Sequence, residues 1–307
     1  MIVMVYGALR SGTTLLRLML DMHPELNCPG EADFLFDHLS FNADGSAVLD
    51  RAALERNRIY QSSDVRLAPG LDGVEAVRDM LRQLQKDDQE CLVLMLHREI
   101  ETALRIVPDA RVLHMLRDPR DVARSAIGMG WAGTAYHGAI YWMRTEWEWD
   151  AMITAVPEAN TEVLRYEDLI NDTESELRRL MTFFGVPFDA RLLEYSEHST
   201  YAPPDSTLVE QWRRKQTPQA VGLVEGRLGP LLESRGYAPS GHPQITPGPA
   251  LAARLWLQDK QAVWKTRINR YGLVDPVLVG LGKRLHMPAL SVRAQQRMNR
   301  KQVAYLK

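Results

Sequence analysis

Residues 2–16 read IVMVYGALRSGTTLL: five largely apolar residues, Gly7, four intervening residues, Gly12, and then Thr13 and Thr14 leading into leucines. A short apolar run ending at a glycine has the form of a buried parallel strand. Residues 13–22, TTLLRLMLDM, place Leu15, Leu16, Met19 and Leu20 on one side of a helix that His23-Pro24 ends. Strand, glycine loop and helix in that order predict a phosphate-binding loop, G-x-x-x-x-G followed by two further positions. The second of these is the expected hydroxyl, Thr14. The first is Thr13, where a nucleotide-hydrolysing loop carries lysine, and an arginine, Arg10, stands inside the loop instead.

The backbone argument for anion binding survives that change. Glycines at 7 and 12 let successive N–H groups turn toward an anion, and the following helix adds its positive end. Ser11, Thr13 and Thr14 add hydroxyl donors. Losing the lysine removes the usual contact to a γ-phosphate, so the loop points to a nucleotide whose reactive group is not a magnesium-bound γ-phosphoryl.

Working outward, CLVLML (91–96), RVLHML (111–116) and residues 161–165 read as further strands, with helical stretches between them. The alternation predicts an α/β fold: a P-loop-like parallel sheet flanked by helices. Residues 33–88 are polar and helical in pattern and read as an insertion over the sheet edge. Residues 1–200 are expected to form the core. Residues 201–307 form a helical C-terminal extension without a convincing strand, whose helices at 249–271 and 288–307 suit a lid, a homodimer contact or a tail.

The chain has 307 residues, 45% hydrophobic and 25% charged, as in ordinary globular proteins. Its formal net charge of −2 conceals a division. Residues 1–200 carry 20 Lys+Arg against 33 Asp+Glu, and residues 201–307 carry 17 against 6. No dense Lys/Arg run marks a nucleic-acid-binding segment. Two distant cysteines, Cys28 and Cys91, fit a reducing compartment and no disulfide framework. With no apolar run long enough to span a bilayer and no leader-like start, the chain as given reads as cytoplasmic.

The second constellation, RDPRDVARS (117–125), follows the strand at 111–116, at the end where open parallel sheets bind ligands. Arg117 and Ser125 are placed to reach one anion, and the guanidinium fork suits a phosphate. A surface ion-pair cluster among Asp118, Arg120, Asp121 and Arg124 is the plainer reading of the other residues.

Together, RSGTTLL, RDPRDVARS, RYEDL (165–169) and LRRLMTFFGVP (177–187) resemble the sulfotransferases that use 3′-phosphoadenosine-5′-phosphosulfate (PAPS). The stretch RSGTTLLRLMLDMHPELNCPGE is also similar to the N-terminal segment of protein-tyrosine sulfotransferases and related bacterial enzymes. The resemblance covers about residues 1–190 and implies sulfuryl transfer from PAPS to a hydroxyl acceptor by in-line displacement, with no metal required. It implies that Arg10, Ser11, Gly12, Thr13 and Thr14 hold the 5′-phosphosulfate, Arg117 and Ser125 the 3′-phosphate, and that Tyr166 lies near the adenine. Glu31, after Pro29-Gly30, takes the position of the family's catalytic base. Related enzymes often place a lysine after the strand at 91–96. Here His97-Arg98 stands there, and His97 is the candidate to supply a proton or hydrogen bond. Within QWRRK (211–215), Arg213 and Lys215 match a late basic segment near the donor.

Two other readings compete. In a nucleotide-dependent phosphotransferase Thr14 would ligate Mg²⁺ and Asp118 would act as a Walker-B acid. In a nucleotide- or sulfate-binding module catalysis would be lost. For the acceptor, a small metabolite, saccharide or lipid headgroup is favoured over protein tyrosine. Trp131, Tyr136, Trp142, Trp147 and Trp149 are available to stack on a ring but read mostly as core.

Overall fold

The computed structural model describes residues 1–86 and 89–306; residues 87, 88 and 307, where the predicted insertion and last helix end, lie outside the described residues. In chain order the strands are β1 (Ile2–Gly7), β2 (Leu26–Asn27), β3 (Leu39–Phe41), β4 (Ala47–Leu49), β5 (Cys91–Leu96), β6 (Arg111–Leu116) and β7 (Thr161–Arg165). The helices are α1 (Thr13–Leu20), α2 (Arg51–Arg56), α3 (Arg58–Ser62), α4 (Gly73–Leu84), α5 (Ile100–Ile106), α6 (Pro119–Gly128), α7 (Ala135–Met152), α8 (Tyr166–Asn171) and α9 (Thr173–Phe184). They continue with α10 (Trp212–Lys215), α11 (Pro218–Leu228), α12 (Leu231–Ser234), α13 (Pro249–Tyr271), α14 (Val274–Arg284) and α15 (Pro288–Leu306). The chain divides into two compact units, residues 1–122 with 141–215, and residues 123–140 with 216–307.

The first unit holds a parallel sheet in the order β2-β5-β1-β6-β7. The four predicted strands are all present, and β2 is a two-residue edge addition that the sequence pattern does not reveal. β1 lies at the centre, paired from Ile2↔Leu92 to Tyr6↔Leu96 on one side and from Val3↔Arg111 to Gly7↔Met115 on the other. Its residues are apolar on both faces because both are covered. Val3 and Val5 point into a core with Leu16, Met19 and Leu20 of α1 and Leu177, Leu180 and Phe184 of α9. Met4 and Tyr6 point into the opposite core with Phe34, Phe36, Val77, Met80 and Trp149. Cys28 and Cys91 are buried, unbridged thiols, and burial pushes Cys91 up to about 11.

The insertion differs from the sequence reading. It contains α2–α4 but also an antiparallel hairpin, β3–β4, turning at Asp44-Gly45. Three-residue strands with an exposed outer position have too short a pattern to register as strands. In the second unit α11 packs closely on the segment at 243–245, where Gly222 and Gly226 leave room for the backbone and the Gly222 carbonyl accepts from the Ile245 N–H at 2.9 Å. Beyond residue 200 no strand occurs among the described residues, and α14 separates the two helices expected there.

β1 and β6 meet closely at Gly7, where a Cβ would press into the Met115 carbonyl oxygen. Gly7→Ala is therefore expected to lower stability by about 1–3 kcal/mol, read as a lower thermal midpoint. Gly128→Ala, at an open position late in α6, should leave the midpoint unchanged or raise it.

Candidate active site

The loop after β1 reverses through two left-handed residues, Arg10 at φ 77° and Gly12 at φ 99°. Gly12 suits its position twice over, since a Cβ there would strike the Tyr166 ring. Arg10 has no such freedom, and a non-glycine residue in this region costs of order 1–3 kcal/mol. The Ser11 N–H donates to the Ala8 carbonyl at 3.0 Å, closing the turn, and α1 begins directly after Gly12. Ser11 is fully buried and its Oγ has no hydrogen-bond partner among the described residues. Thr13 is buried, whereas Arg10 and Thr14 are exposed.

Arg117, at the end of β6, joins this loop to its surroundings. Its guanidinium carbon lies 4.0 Å from the centre of the Tyr166 ring. Nη1 donates to the Arg10 carbonyl and Nη2 to the Leu208 carbonyl, each at 3.2 Å. Nε is buried without a partner among the described residues. Gly12 and Arg117 thus both lie against the Tyr166 ring, and two donors nearby in the chain, Ser11 Oγ and Arg117 Nε, are left unsatisfied among the described residues. A buried polar atom left unpaired costs about 1–3 kcal/mol, and an anion accepting from either donor would relieve that cost.

The turn after Arg117 is built of buried charge rather than the surface ion pairs of the plainer sequence reading. Asp118 and Arg120 are each 2% exposed. Asp118 Oδ1 accepts from Arg120 N and Nε at 2.9 Å, and Oδ2 from Arg120 Nη2 at 2.7 Å and Trp212 Nε1 at 2.9 Å. Asp121 accepts from the Trp212 N–H at 2.7 Å and the Gln211 N–H at 3.1 Å, capping the short helix α10. Trp212 lies between guanidiniums, with Arg120 at 3.9 Å and Arg213 at 4.4 Å from its ring. The basic segment is therefore pinned to the 118–121 turn through Trp212, a residue the sequence reading passed over. An indole followed directly by Arg213 and Arg214 was the available signal.

Across β1 from this turn, residues 30–32 run alongside β5. The Ala32 N–H donates to the Met95 carbonyl at 2.9 Å, and Glu31 pairs with Met95 in a single parallel bridge. Glu31 is exposed and borders a cavity of about 80 Å³, whose walls include Pro29, Phe34, Ile59 and Leu84, with Ser62 and Ser63 beside them. His97 is buried, and its Nδ1 lies 2.8 Å from the Gly7 carbonyl. A carbonyl only accepts, so Nδ1 carries the proton and Nε2 is the acceptor of the neutral ring. Asp33 fixes this corner by accepting from the His97 N–H at 2.8 Å and the Arg98 N–H at 3.2 Å. Burial raises the Asp33 carboxyl pKa against the pull of His97 and Arg98. The Arg98 side chain is clamped by Asp37 through two hydrogen bonds of 2.6 Å.

The sequence profile of the Sulfotransferase family matches residues 3–190. The chain belongs to the sulfotransferase family. Among its relatives, protein-tyrosine sulfotransferase A of Caenorhabditis elegans is 24% identical over 272 residues, covering 78% of this chain and 68% of the relative. Among solved structures, the sulfotransferase domain from the curacin biosynthetic pathway has a TM-score of 0.55 at 18% identity, covering 77% of this chain and 97% of that one. The sulfotransferase domain of the Synechococcus PCC 7002 olefin synthase has a TM-score of 0.51 at 20% identity, covering 73% and 93%. These similarities show the P-loop-like fold.

In this sulfotransferase-family chain, Arg10, Ser11, Gly12, Arg117 and Tyr166 are brought together in one cradle, with His97 hydrogen-bonded to the first residue of the loop. Ser125 lies two turns along α6, half-buried. Arg213 is engaged by Glu210 at 2.7 and 2.9 Å and Lys215 by Gln211 at 2.5 Å, so both form local contacts. Trp142 and Trp149 are buried, Trp131 and Tyr136 are half-buried, and Trp147 is exposed. Among the described residues no cluster of three His, Cys, Asp or Glu could hold a metal, and no helix is long and apolar enough to cross a membrane.

Burial pushes the Asp121 carboxyl up to about 6, with Arg117 pulling it down and Asp118 pushing it further up. The folded state therefore holds this proton more tightly than the unfolded chain, whose Asp titrates near 3.9. The group's stabilising contribution is complete below about pH 4 and is lost as pH rises through about 6. Asp121→Asn should remove that slope. Between pH 4 and 7 the stability difference between wild type and variant is expected to change by about 3 kcal/mol, measured by denaturant unfolding at each pH.

Proposed function

We propose that the protein transfers a sulfuryl group from PAPS to a hydroxyl acceptor. The observation that carries this reading is the pair of buried, unpaired donors, Ser11 Oγ and Arg117 Nε, beside a lysine-free phosphate loop in a chain of the sulfotransferase family. The loop N–H groups, Arg10 and the hydroxyls of Ser11, Thr13 and Thr14 would hold the 5′-phosphosulfate. Arg117 and Ser125 would hold the 3′-phosphate, with Tyr166 as the platform under Arg117. Residues 1–200 would supply the donor site, and Arg213 and Lys215, held in place by Trp212, would add positive charge to it. The protein would be cytoplasmic, a compartment that suits its two buried, unbridged thiols.

In the proposed reaction the Glu31 carboxylate accepts the acceptor's hydroxyl proton as that oxygen forms a bond to sulfur. The bond from sulfur to the 5′-phosphate oxygen breaks in line, and its electron pair stays on the phosphate. The loop N–H groups and Arg10 meet the charge that develops there, which is where fixed donors contribute most. His97, with Nδ1–H given to Gly7, presents Nε2 as a second proton acceptor or, once protonated, as a donor. The cavity beside Glu31 supports a small acceptor group, such as a metabolite, sugar or lipid-headgroup hydroxyl, with apolar walls against its carbon frame.

The phosphotransferase reading loses its metal-ligating acid. Both Asp118 oxygens are already committed to Arg120 and Trp212 in a 2% exposed site, so the side chain has no free lone pair directed at a magnesium ion.

Calorimetry tests the donor. The protein is expected to bind 3′,5′-adenosine bisphosphate tightly and ATP–Mg²⁺ weakly; the reverse order would overturn the reading. Arg117→Ala should weaken the bisphosphate about 10–100-fold, the loss of a charge-assisted contact, and leave adenosine 5′-phosphosulfate little affected. For the base, Glu31→Gln should retain bisphosphate binding and lower kcat by roughly 10²–10⁴. A mild effect in steady-state turnover would transfer that role to His97.

A further inference from the structure

The second unit carries a surface that its own packing does not explain. Helix α13 is 23 residues long, and its inward side is Leu255, Asp259, Ala262, Thr266 and Arg270. Gly133 lets the backbone approach Asp259 and Ala262, the Asp259 carboxylate accepts from the Gly133 N–H at 2.7 Å, and Arg270 donates to the Met129 carbonyl at 3.1 Å. That face is fully used.

The outward face carries exposed apolar side chains. Trp256 is 55% exposed, Leu257 51%, Trp264 39% and Ile268 37%. Spacings of four, seven and eight residues put them on one side of the helix, in a stripe about 20 Å long at 1.5 Å per residue. Lys260 and Arg267 lie within the stripe and Arg254 and Lys265 along its edge, all exposed. Arg254, Lys265 and Arg267 form no ion pair among the described residues. The outward face has no carboxylate at all. Beyond residue 235 the sequence contains only two acids, Asp259 and Asp275, and both are buried. Asp275 is held by Arg297 at 2.7 Å and Lys301 at 3.1 Å.

We propose that this face of α13 docks the protein on an anionic lipid surface. Tryptophan, leucine and isoleucine along one straight, convex stripe suit the boundary between headgroups and acyl chains, and interspersed lysine and arginine suit the headgroup phosphates. Charge complementarity selects this occupant. A second copy of the same face would set cations against cations with no carboxylate to neutralise them. A nucleic acid would leave two tryptophans and two aliphatic side chains on a convex surface without a groove to guide the strand. The helix lies on the membrane rather than across it, consistent with the lack of a spanning helix among the described residues.

The test is flotation of the full chain with vesicles of phosphatidylcholine alone or with 30 mol% phosphatidylserine, at 0.1 and 0.5 M salt. Binding to the anionic vesicles at least tenfold above neutral ones, weakened at high salt, is expected. Trp256→Glu/Trp264→Glu should abolish it while thermal unfolding and adenosine bisphosphate binding stay as in wild type. A charge variant, Lys260→Ser/Arg267→Ser, should reduce it severalfold on the same fold. Absence of binding to anionic vesicles, or binding unchanged in the tryptophan variant, would overturn the proposal. So would a concentration-dependent dimer in sedimentation that the tryptophan variant abolishes, or retention of a labelled single-stranded oligonucleotide that the charge variant loses.

Discussion

Two backbones come together at the C-terminal edge of the sheet only because no side chain keeps them apart. Gly7 lies against the Met115 carbonyl, and Gly12 lies against the Tyr166 ring. The first contact brings the end of β1 onto the end of β6, which fixes where Arg117 emerges. The second seats the start of α1 against the ring that Arg117 covers at 4.0 Å. Arg117 then donates to the Arg10 carbonyl and holds the loop in its left-handed turn. The strain at Arg10 is supported by these neighbours rather than by glycine, so the fold itself holds the cradle. Preorganisation of that kind is what gives fixed donors their value in catalysis.

A second layer of order surrounds it. His97 receives its position from Asp33 and its tautomer from the Gly7 carbonyl, so the ring and the loop cannot move independently. On the other side of β1, Asp118 and Asp121 spend every strong acceptor on Arg120, Trp212 and Gln211. Burial is tolerable for Asp118 because it is paired with Arg120, and for Asp121 because two backbone N–H groups donate to it. Removing one partner leaves the other uncompensated, which makes the turn and the 211–215 segment a single cooperative element.

Much of this was legible in the sequence because it rests on local rules. β1, β5, β6 and β7 are five- or six-residue runs in a parallel sheet, mostly buried, and α1 and α9 have strong one-sided periodicity. Gly7, Gly12, Arg10 and Arg117 announced themselves by spacing and by position at strand ends. What escaped depends on contacts distant in sequence. The hairpin β3–β4 has three-residue strands, too short for a period of two to be recognised. The use of Asp118 and Arg120 as a buried pair requires Trp212, 94 residues from Asp118, to cover them. No pattern inside RDPRD distinguishes that from a solvated cluster. Likewise Asp33 looks like any insertion residue until β5 brings the His97 N–H to it.

The missing lysine follows from the same charge logic. A loop that cleaves a γ-phosphate needs a metal and a lysine to meet charge accumulating on a terminal phosphoryl group. Here the carboxylate best placed to recruit a metal is closed by Arg120 and Trp212, and cationic density is carried by two guanidiniums, one inside the loop and one stacked beside it. Guanidiniums stay charged at any physiological pH and spread their donors in a plane. Under the proposed function such a site would suit a donor with phosphates at two separate positions better than a triphosphate chain. In the proposed reaction the reacting bond would be polarised by N–H groups and fixed cations. Thr13 in place of lysine is accordingly consistent with the electrostatic arrangement proposed for Arg10, Arg117 and the sealed Asp118, in which a lysine would add a third cation beside two guanidiniums.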